Sequence, residues 1–188
     1  MDKQAFRNKI LNILKDLDEA TRGDRMQKIS TKLFQLEIWK QATCIGTTIS
    51  QFPELDTQMI IEQAWLEKKQ IVVPKANPRL KTMDFKKIIH NDQLEKGYAA
   101  IMEPKQELPS ILPSQIDLLI VPGVVYREDG YRIGFGGGYY DRFLQTYKGK
   151  TISIAFDEQI TSAFEIESHD IPVQMIITDK RIIHCNKK

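Results

Sequence analysis

Apolar positions recur at helical spacing near the start of the chain, where Phe6, Ile10, Ile13, Leu14 and Leu17 fall on one stripe and predict a helix over residues 2–17. A second stripe, Met26, Ile29, Leu33 and Leu36, predicts a helix over 24–36. The pattern then changes to short apolar runs at 43–50, 70–75, 117–121, 151–156 and 173–178. Runs of that length and density suit strands buried on both faces. Ile60, Ile61, Ala64 and Trp65 form the apolar face of another helix, reaching about residue 69 with Thr57 as its cap. Residues 82–89 alternate weakly and predict a strand at a sheet edge, whereas Pro104, Pro109 and Pro113 mark 91–114 as a long irregular connection. Tyr139, Tyr140, Phe143, Leu144 and Tyr147 again carry helical spacing. Helices alternating with buried strands predict an α/β fold, with a largely parallel sheet in a single domain spanning residues 1–188.

Composition narrows the function classes. An apolar content of 41% with 28% charged residues is ordinary for a globular protein with a sizeable core. The net charge of +2 is too small to argue for nucleic acid or an anionic membrane as partner. No apolar run approaches membrane-spanning length, and Met1 to Arg7 carry charge where a secretory signal would be apolar. Cytoplasm is the expected location. Cys44 and Cys185 show neither metal-ligand nor redox spacing and are expected to be buried thiols.

The candidate chemistry sits between the strand at 117–121 and the helix at 139–147. Gly134, Gly136, Gly137 and Gly138 lie within five residues, flanked by Arg132 and Arg142, with Asp141 in the first helical turn. Glycines let backbone N–H groups approach an anion at a helix start. Two cations and a carboxylate beside such donors suit a nucleotide with a divalent metal. Neither common phosphate motif fits, because Tyr139 and Tyr140 stand where a Lys-Ser/Thr pair or a third spaced glycine would be required. A tight turn packing strand against helix is the alternative reading.

Taken whole, Pro122-Gly123 followed by Arg132-Ile133-Gly134-Phe135-Gly136-Gly137-Gly138-Tyr139-Tyr140-Asp141-Arg142 resembles the signature of the 5-formyltetrahydrofolate cyclo-ligase family. The resemblance extends over nearly the whole chain, from Lys3 to Asp170. It implies a three-layer α/β/α sandwich and conversion of 5-formyltetrahydrofolate to 5,10-methenyltetrahydrofolate, with ATP as co-substrate and Mg²⁺ as cofactor. Lys3 and Arg7, four apart on one helix flank, match an ATP-contacting Lys-x-x-x-Arg; by themselves they would be a solvated basic edge. Residues 132–140 would hold ATP, with Arg132, Tyr140 and Asp141 at the catalytic centre. Glu54, before Leu55-Asp56-Thr57, matches a folate-contacting glutamate, though it could equally favour a helix N-terminus. Ile49, Phe135, Gly136, Gly137, Gly138 and Tyr139 match the remaining substrate contacts. Asp141 and Asp170 match the magnesium ligands, while His169 alone reads as a surface histidine.

Gly97-Tyr98-Ala99-Ala100-Ile101-Met102-Glu103-Pro104 resembles a further family segment, and Lys75 is read either as a phosphate or glutamate-tail contact or as a solvated lysine. One departure stands out: Gln174 occupies a place where the family pattern often has an acid. The implied partners are therefore small molecules, with no nucleic acid and no membrane, for a monomer or a weak dimer. Two competing readings are a folate- or nucleotide-binding protein without turnover, towards which Gln174 leans, and a phosphotransferase acting on another metabolite.

Overall fold

The structure, a computed structural model, describes residues 2–97, 101–162 and 164–185. The chain opens with two helices, α1 (Lys3–Asp16) and α2 (Glu19–Gln35), each started by an aspartate. Asp2 accepts from the Ala5 N–H, and Asp18 from the Thr21 N–H. The second helix begins at Glu19 rather than at 24, because its first turn is polar and carries no apolar stripe to reveal it. A short α3 (Glu37–Gln41) leads into β1 (Cys44–Gly46), followed by α4 (Gln58–Leu66), β2 (Gln70–Asn77) and β3 (Thr82–Ile88). Then come β4 (Leu94–Lys96), β5 (Met102–Pro104), β6 (Ser110–Ile111), β7 (Leu118–Ile120), β8 (Val125–Tyr126) and β9 (Arg132–Ile133). The chain continues through α5 (Tyr139–Leu144), β10 (Lys150–Ala155), β11 (Met175–Thr178) and β12 (Ile182–His184).

Eight strands form one sheet in the order β12-β11-β10-β7-β1-β2-β3-β6. From β11 to β2 the neighbours pair in parallel, while β12, β3 and β6 join antiparallel at the two edges. Side chains alternate between two cores, as the pleat requires. Ile45, Leu118, Ile120, Ile152 and Ile177 meet Ile10, Leu14, Ile29, Leu33, Ile60 and Ile61 from α1, α2 and α4. On the other face Val72, Leu119, Val121 and Ile176 meet Leu144 of α5, Tyr147 and Tyr126. The result is the expected α/β/α layering around a largely parallel sheet, with α5 the one α-helix covering the second face among the described residues. Among the described residues no helix is long and apolar enough to cross a membrane.

Three local expectations are corrected. The run 43–50 is strand only to Gly46, because the following loop bonds to itself: the Thr57 hydroxyl donates to the Thr48 carbonyl at 2.7 Å, and the Thr57 N–H to the Ser50 hydroxyl at 3.0 Å. Those bonds occupy Thr57, which is the N-cap residue of α4 as expected but makes no side-chain capping bond; Asp56 instead accepts from the Gln58 N–H at 2.9 Å. Residues 82–89 are not the sheet edge, since β6 pairs outside β3. The stretch 91–114 is not merely irregular, because it contains the β4–β5 hairpin as well as β6. Of the family-like segment at 97–104, residues 98–100 lie outside the described residues. Lys75 ties β2 to that hairpin, with Glu95 at 3.0 Å, Glu103 at 2.9 Å and the Pro104 carbonyl at 2.8 Å. Both cysteines are free, Cys44 buried and Cys185 half-buried, and burial pushes their thiols up to about 11 and about 12.

Candidate active site

A small half-open pocket lies beyond the carboxyl ends of β1, β7 and β10, lined by Thr48, Glu54, Pro122, Gly123, Tyr126 and Ile154 among others. Open parallel sheets bind ligands at this end. Glu54 reaches the pocket from the loop after β1, where its carboxylate accepts from the Gln51 N–H at 3.2 Å. Burial holds the Glu54 carboxyl above its ordinary value, against the smaller opposing effect of that hydrogen bond. Ile49, on the same loop, is half-buried and packs against the core beneath α1 and α4.

The glycine loop approaches from the β8–β9 hairpin. Gly136 and Gly138 adopt φ values of +97° and +63°, a backbone that side chains with a Cβ resist. That geometry turns the chain from β9 into α5. Arg132 is almost completely buried and acts as the hub. Its Nη1 donates to the Ile171 carbonyl at 2.7 Å, and its Nη2 to Asp141 Oδ1 at 3.0 Å. The same Asp141 oxygen accepts from the Ile171 N–H at 3.2 Å, while its second oxygen has no hydrogen-bond partner among the described residues. Arg142 turns the other way, donating to the carbonyls of Lys81 and Gly137 at 2.7 and 2.5 Å, with its guanidinium 5.5 Å from the Tyr139 ring centre.

Tyr140 carries a buried hydroxyl with no hydrogen-bond partner among the described residues. Burial raises its pKa, while the Arg132 charge draws it down and the Glu54 charge pushes it up, so the hydroxyl lies in the fields of both groups. An orphaned buried hydroxyl is rare, and in a native site it points to a ligand contact. Phe135, by contrast, is 51% exposed, and Ile133 is buried under the loop.

Helix α1 supplies the third wall. Arg7 donates from Nε to the Gly134 carbonyl at 2.7 Å and also bonds Gln4. Lys3 places its ammonium 3.0 Å from Asp170 Oδ2 and 3.2 Å from Glu167 Oε2. Burial alone would lower the Lys3 pKa, but the two carboxylates outweigh it and hold the amine above its ordinary value. Burial of Asp170 is likewise outweighed, by the Glu167 N–H and by Lys3, and its carboxyl stays below the usual range. Glu167, His169 and Asp170 bring their ligand atoms within 4.8 Å of one another. His169 is 60% exposed, as a surface-loop histidine should be.

Lys3, Arg7, the loop from Arg132 to Asp141 and the 167–171 loop are thus tied together by hydrogen bonds and ion pairs, although they are far apart in sequence, while Glu54 stands in the strand-end pocket with its charge felt at Tyr140. Gln174 stands elsewhere. It accepts from the Thr151 N–H at 3.2 Å and donates its own N–H to the Thr151 hydroxyl at 3.1 Å, at the amino ends of β10 and β11. Its amide closes a strand start. Thr48, Tyr126 and Glu167 belong to the site without having been expected there. Only Tyr126 had a signal, its place just after the Pro122-Gly123 that ends a central strand.

The chain is similar to known proteins over most of its length. A protein from Escherichia coli K12 named 5-formyltetrahydrofolate cyclo-ligase is 32% identical over 161 residues, covering 83% of this chain and 88% of its own. A namesake from Haemophilus influenzae is 27% identical over 176 residues, with 91% and 94% covered. The solution structure of Aquifex aeolicus 5,10-methenyltetrahydrofolate synthetase superposes with a TM-score of 0.87 at 28% identity, over 100% of this chain and 95% of that one. The synthetase from Mycoplasma pneumoniae gives 0.77 at 28% identity, over 95% and 99%. With the model of the 5-formyltetrahydrofolate cyclo-ligase family also matching residues 1–179, this chain belongs to that family.

Proposed function

We propose that this protein uses ATP and Mg²⁺ to cyclise 5-formyltetrahydrofolate to 5,10-methenyltetrahydrofolate, releasing ADP and phosphate. The observation that carries the reading is a strand-end pocket lined by Glu54, with the buried Tyr140 hydroxyl in the fields of Glu54 and Arg132 and with Arg7 of α1 bonded to the glycine loop at the Gly134 carbonyl. The formyl oxygen is a poor leaving group. Attack of N10 on the formyl carbon becomes productive once the γ-phosphoryl group has moved to that oxygen, because phosphate then departs in place of oxide. Such a reaction asks for positioning and charge neutralisation rather than a protein nucleophile.

In this reading Glu54 accepts hydrogen bonds from pterin N–H groups, and Ile49, Phe135 and Tyr139 flank the folate. Lys3, Arg7, Arg132 and the N–H groups of residues 133–140 hold the triphosphate. The Tyr140 hydroxyl, lacking a partner among the described residues, donates to the reacting oxygen or its phosphate. The donor set also suits magnesium, which needs one or two carboxylates beside phosphates: Asp141 has an oxygen with no partner among the described residues, and the N–H that its other oxygen binds belongs to Ile171, the residue after Asp170. Asp141 and Asp170 would hold the ion, which when bound neutralises charge on the phosphates.

The whole chain is read as one domain, supported by a single sheet that takes strands from Cys44 to His184. It acts on small molecules in the cytoplasm, as a monomer or a weak dimer. Methenyltetrahydrofolate absorbs where the formyl substrate does not, so the test is the absorbance of a mixture with ATP and Mg²⁺, without ATP, and with EDTA. Product only in the complete mixture is expected. Product at full rate without nucleotide would overturn the mechanism, and binding without any product would return the chain to a carrier role.

A further inference from the structure

We propose that Arg22 is the positioning residue that sets Glu54 in place for the folate. The inference rests on the reading of Glu54 given above. Glu54 sits on a tight turn, with its N–H donating to the Gln51 carbonyl at 2.8 Å while its carboxylate accepts from the Gln51 N–H at 3.2 Å. The turn therefore fixes the carboxylate relative to itself. It does not fix the turn relative to the protein, and at its tip Phe52 is 67% exposed.

Leu55 anchors the turn on its carboxyl side by burial in the core, and Arg22 supplies the polar tie. From α2 its Nη2 donates to the Pro53 carbonyl at 3.1 Å and to the Glu54 carbonyl at 2.6 Å. Neither carbonyl has another donor among the described residues. The guanidinium also lies 5.1 Å from the centre of the Phe52 ring, a cation–π contact that covers the exposed tip. Its Nη1 reaches the Leu14 carbonyl in the last turn of α1 at 2.8 Å. One planar group thus locks the Glu54 turn to both helices, and α1 is the helix whose first turns carry Lys3 and Arg7. Only a guanidinium has the fork to meet three carbonyls at once; a lysine would be a single point charge. No carboxylate lies within ion-pair distance of Arg22 among the described residues, so its side chain serves backbone positions rather than surface charge.

The experiment compares Arg22→Gln, Arg22→Lys, Glu54→Gln, the double variant Arg22→Gln/Glu54→Gln and Arg25→Ala. Arg25 is the control, an arginine of the same helix whose bonds go to Asp179 and Glu158 at the far side. Dissociation constants for 5-formyltetrahydrofolate and for ATP are measured by calorimetry, with Tm beside them. Arg22→Gln is expected to weaken folate by about tenfold, the loss of one charge-assisted anchor, and to leave ATP within about twofold. Arg22→Lys should fall between it and the parent, and Arg25→Ala should lower Tm without moving either constant. Because Arg22 acts through Glu54, the double variant should bind folate little worse than Glu54→Gln alone. An unchanged folate constant in Arg22→Gln, equal loss of both ligands, or fully additive losses in the double variant would overturn the proposal. A Glu54→Gln protein that binds folate normally would instead remove the reading of Glu54, and this proposal with it.

Discussion

The Lys3 ammonium lies 3.0 Å from the Asp170 carboxylate, across 167 positions of sequence. Arg132 and Asp141 make the matching pair at 3.0 Å. Two of the cations assigned to phosphate, Lys3 and Arg132, are therefore each joined to a carboxylate assigned to magnesium, while Arg7 holds the glycine loop instead. The arrangement keeps charges neutralised that would otherwise be costly at part-buried positions. On the proposed function, a nucleotide with its metal would replace both pairs: phosphate for carboxylate on the cations, metal for cation on the carboxylates.

Phosphate binding is tested at Arg7, whose Nε also holds the Gly134 carbonyl of the glycine loop. Arg7→Ala is expected to raise the KM for ATP by about tenfold to a hundredfold, the equivalent of losing a charge-assisted contact of roughly 1.5–3 kcal/mol. The KM for the folate should change far less. Steady-state kinetics with each substrate varied in turn would show it, and an unchanged KM for ATP would return Arg7 to a purely structural tie.

The carboxylates should separate by role. Asp141→Asn keeps an oxygen for Arg132 and Ile171 but removes the charge facing a nearly buried guanidinium, so both stability and turnover should fall, stability by about 1–3 kcal/mol. Asp170→Asn should mainly raise the Mg²⁺ concentration needed for half-maximal rate. Gln174→Asp and Gln174→Ala should leave kcat/KM unchanged, with Gln174→Ala costing about 0.5–1.5 kcal/mol through the Thr151 N–H it strands. A Mg²⁺ titration and a denaturant melt of each variant decide the matter. A large gain in activity from Gln174→Asp would contradict the placement of that residue away from the site.

Tyr140→Phe removes a buried hydroxyl that has no partner among the described residues. Stability should rise by about 1 kcal/mol, since an unsatisfied buried polar atom is costly, and for a chain of this size that is a Tm gain of about 2–4 °C. Turnover should fall at the same time. Loss of stability would mean that the hydroxyl has a structural bond after all.

Glu54 links function to pH. Its folded-state pKa is raised above the ordinary 4.5, so between those two values the folded chain binds more protons than the unfolded one. Stability accordingly falls as pH rises through that window and stays lowered above it. Glu54→Gln removes the effect: its Tm should exceed the parent's at pH 7, the difference closing below pH 4.5. The same variant should bind folate more weakly, because an amide presents one acceptor oxygen where the carboxylate presents two. Melting curves across pH, beside folate titrations, check both halves.

The sequence alone determined the layering and the location of the chemistry, because both rest on local signals. Stripes at Ile10-Leu14 and Ile29-Leu33 and the dense apolar runs at 117–121 and 151–156 report burial directly, since each side chain's face follows from backbone periodicity. The string from Arg132 to Asp141 is contiguous, and its resemblance brought Lys3, Arg7, Glu54 and Asp170 with it. Tertiary structure decided whatever depends on contacts between distant segments. Sequence could not show that β6 lies outside β3, since the strand is two residues long within a proline-rich stretch. Nor could it show that Thr57 spends its hydroxyl on Thr48 and leaves Asp56 to accept from the Gln58 N–H. Gln174 looked like a defect in a metal site until the pairing of β10 with β11 set it beside Thr151. Arg22 carried no signal at all, one arginine in a polar helical turn, and only the packing of α2 against the Glu54 loop gives its guanidinium three carbonyls to hold. Periodicity tells which face of an element is buried; which polar groups then meet across the fold is set by packing, and packing is not local.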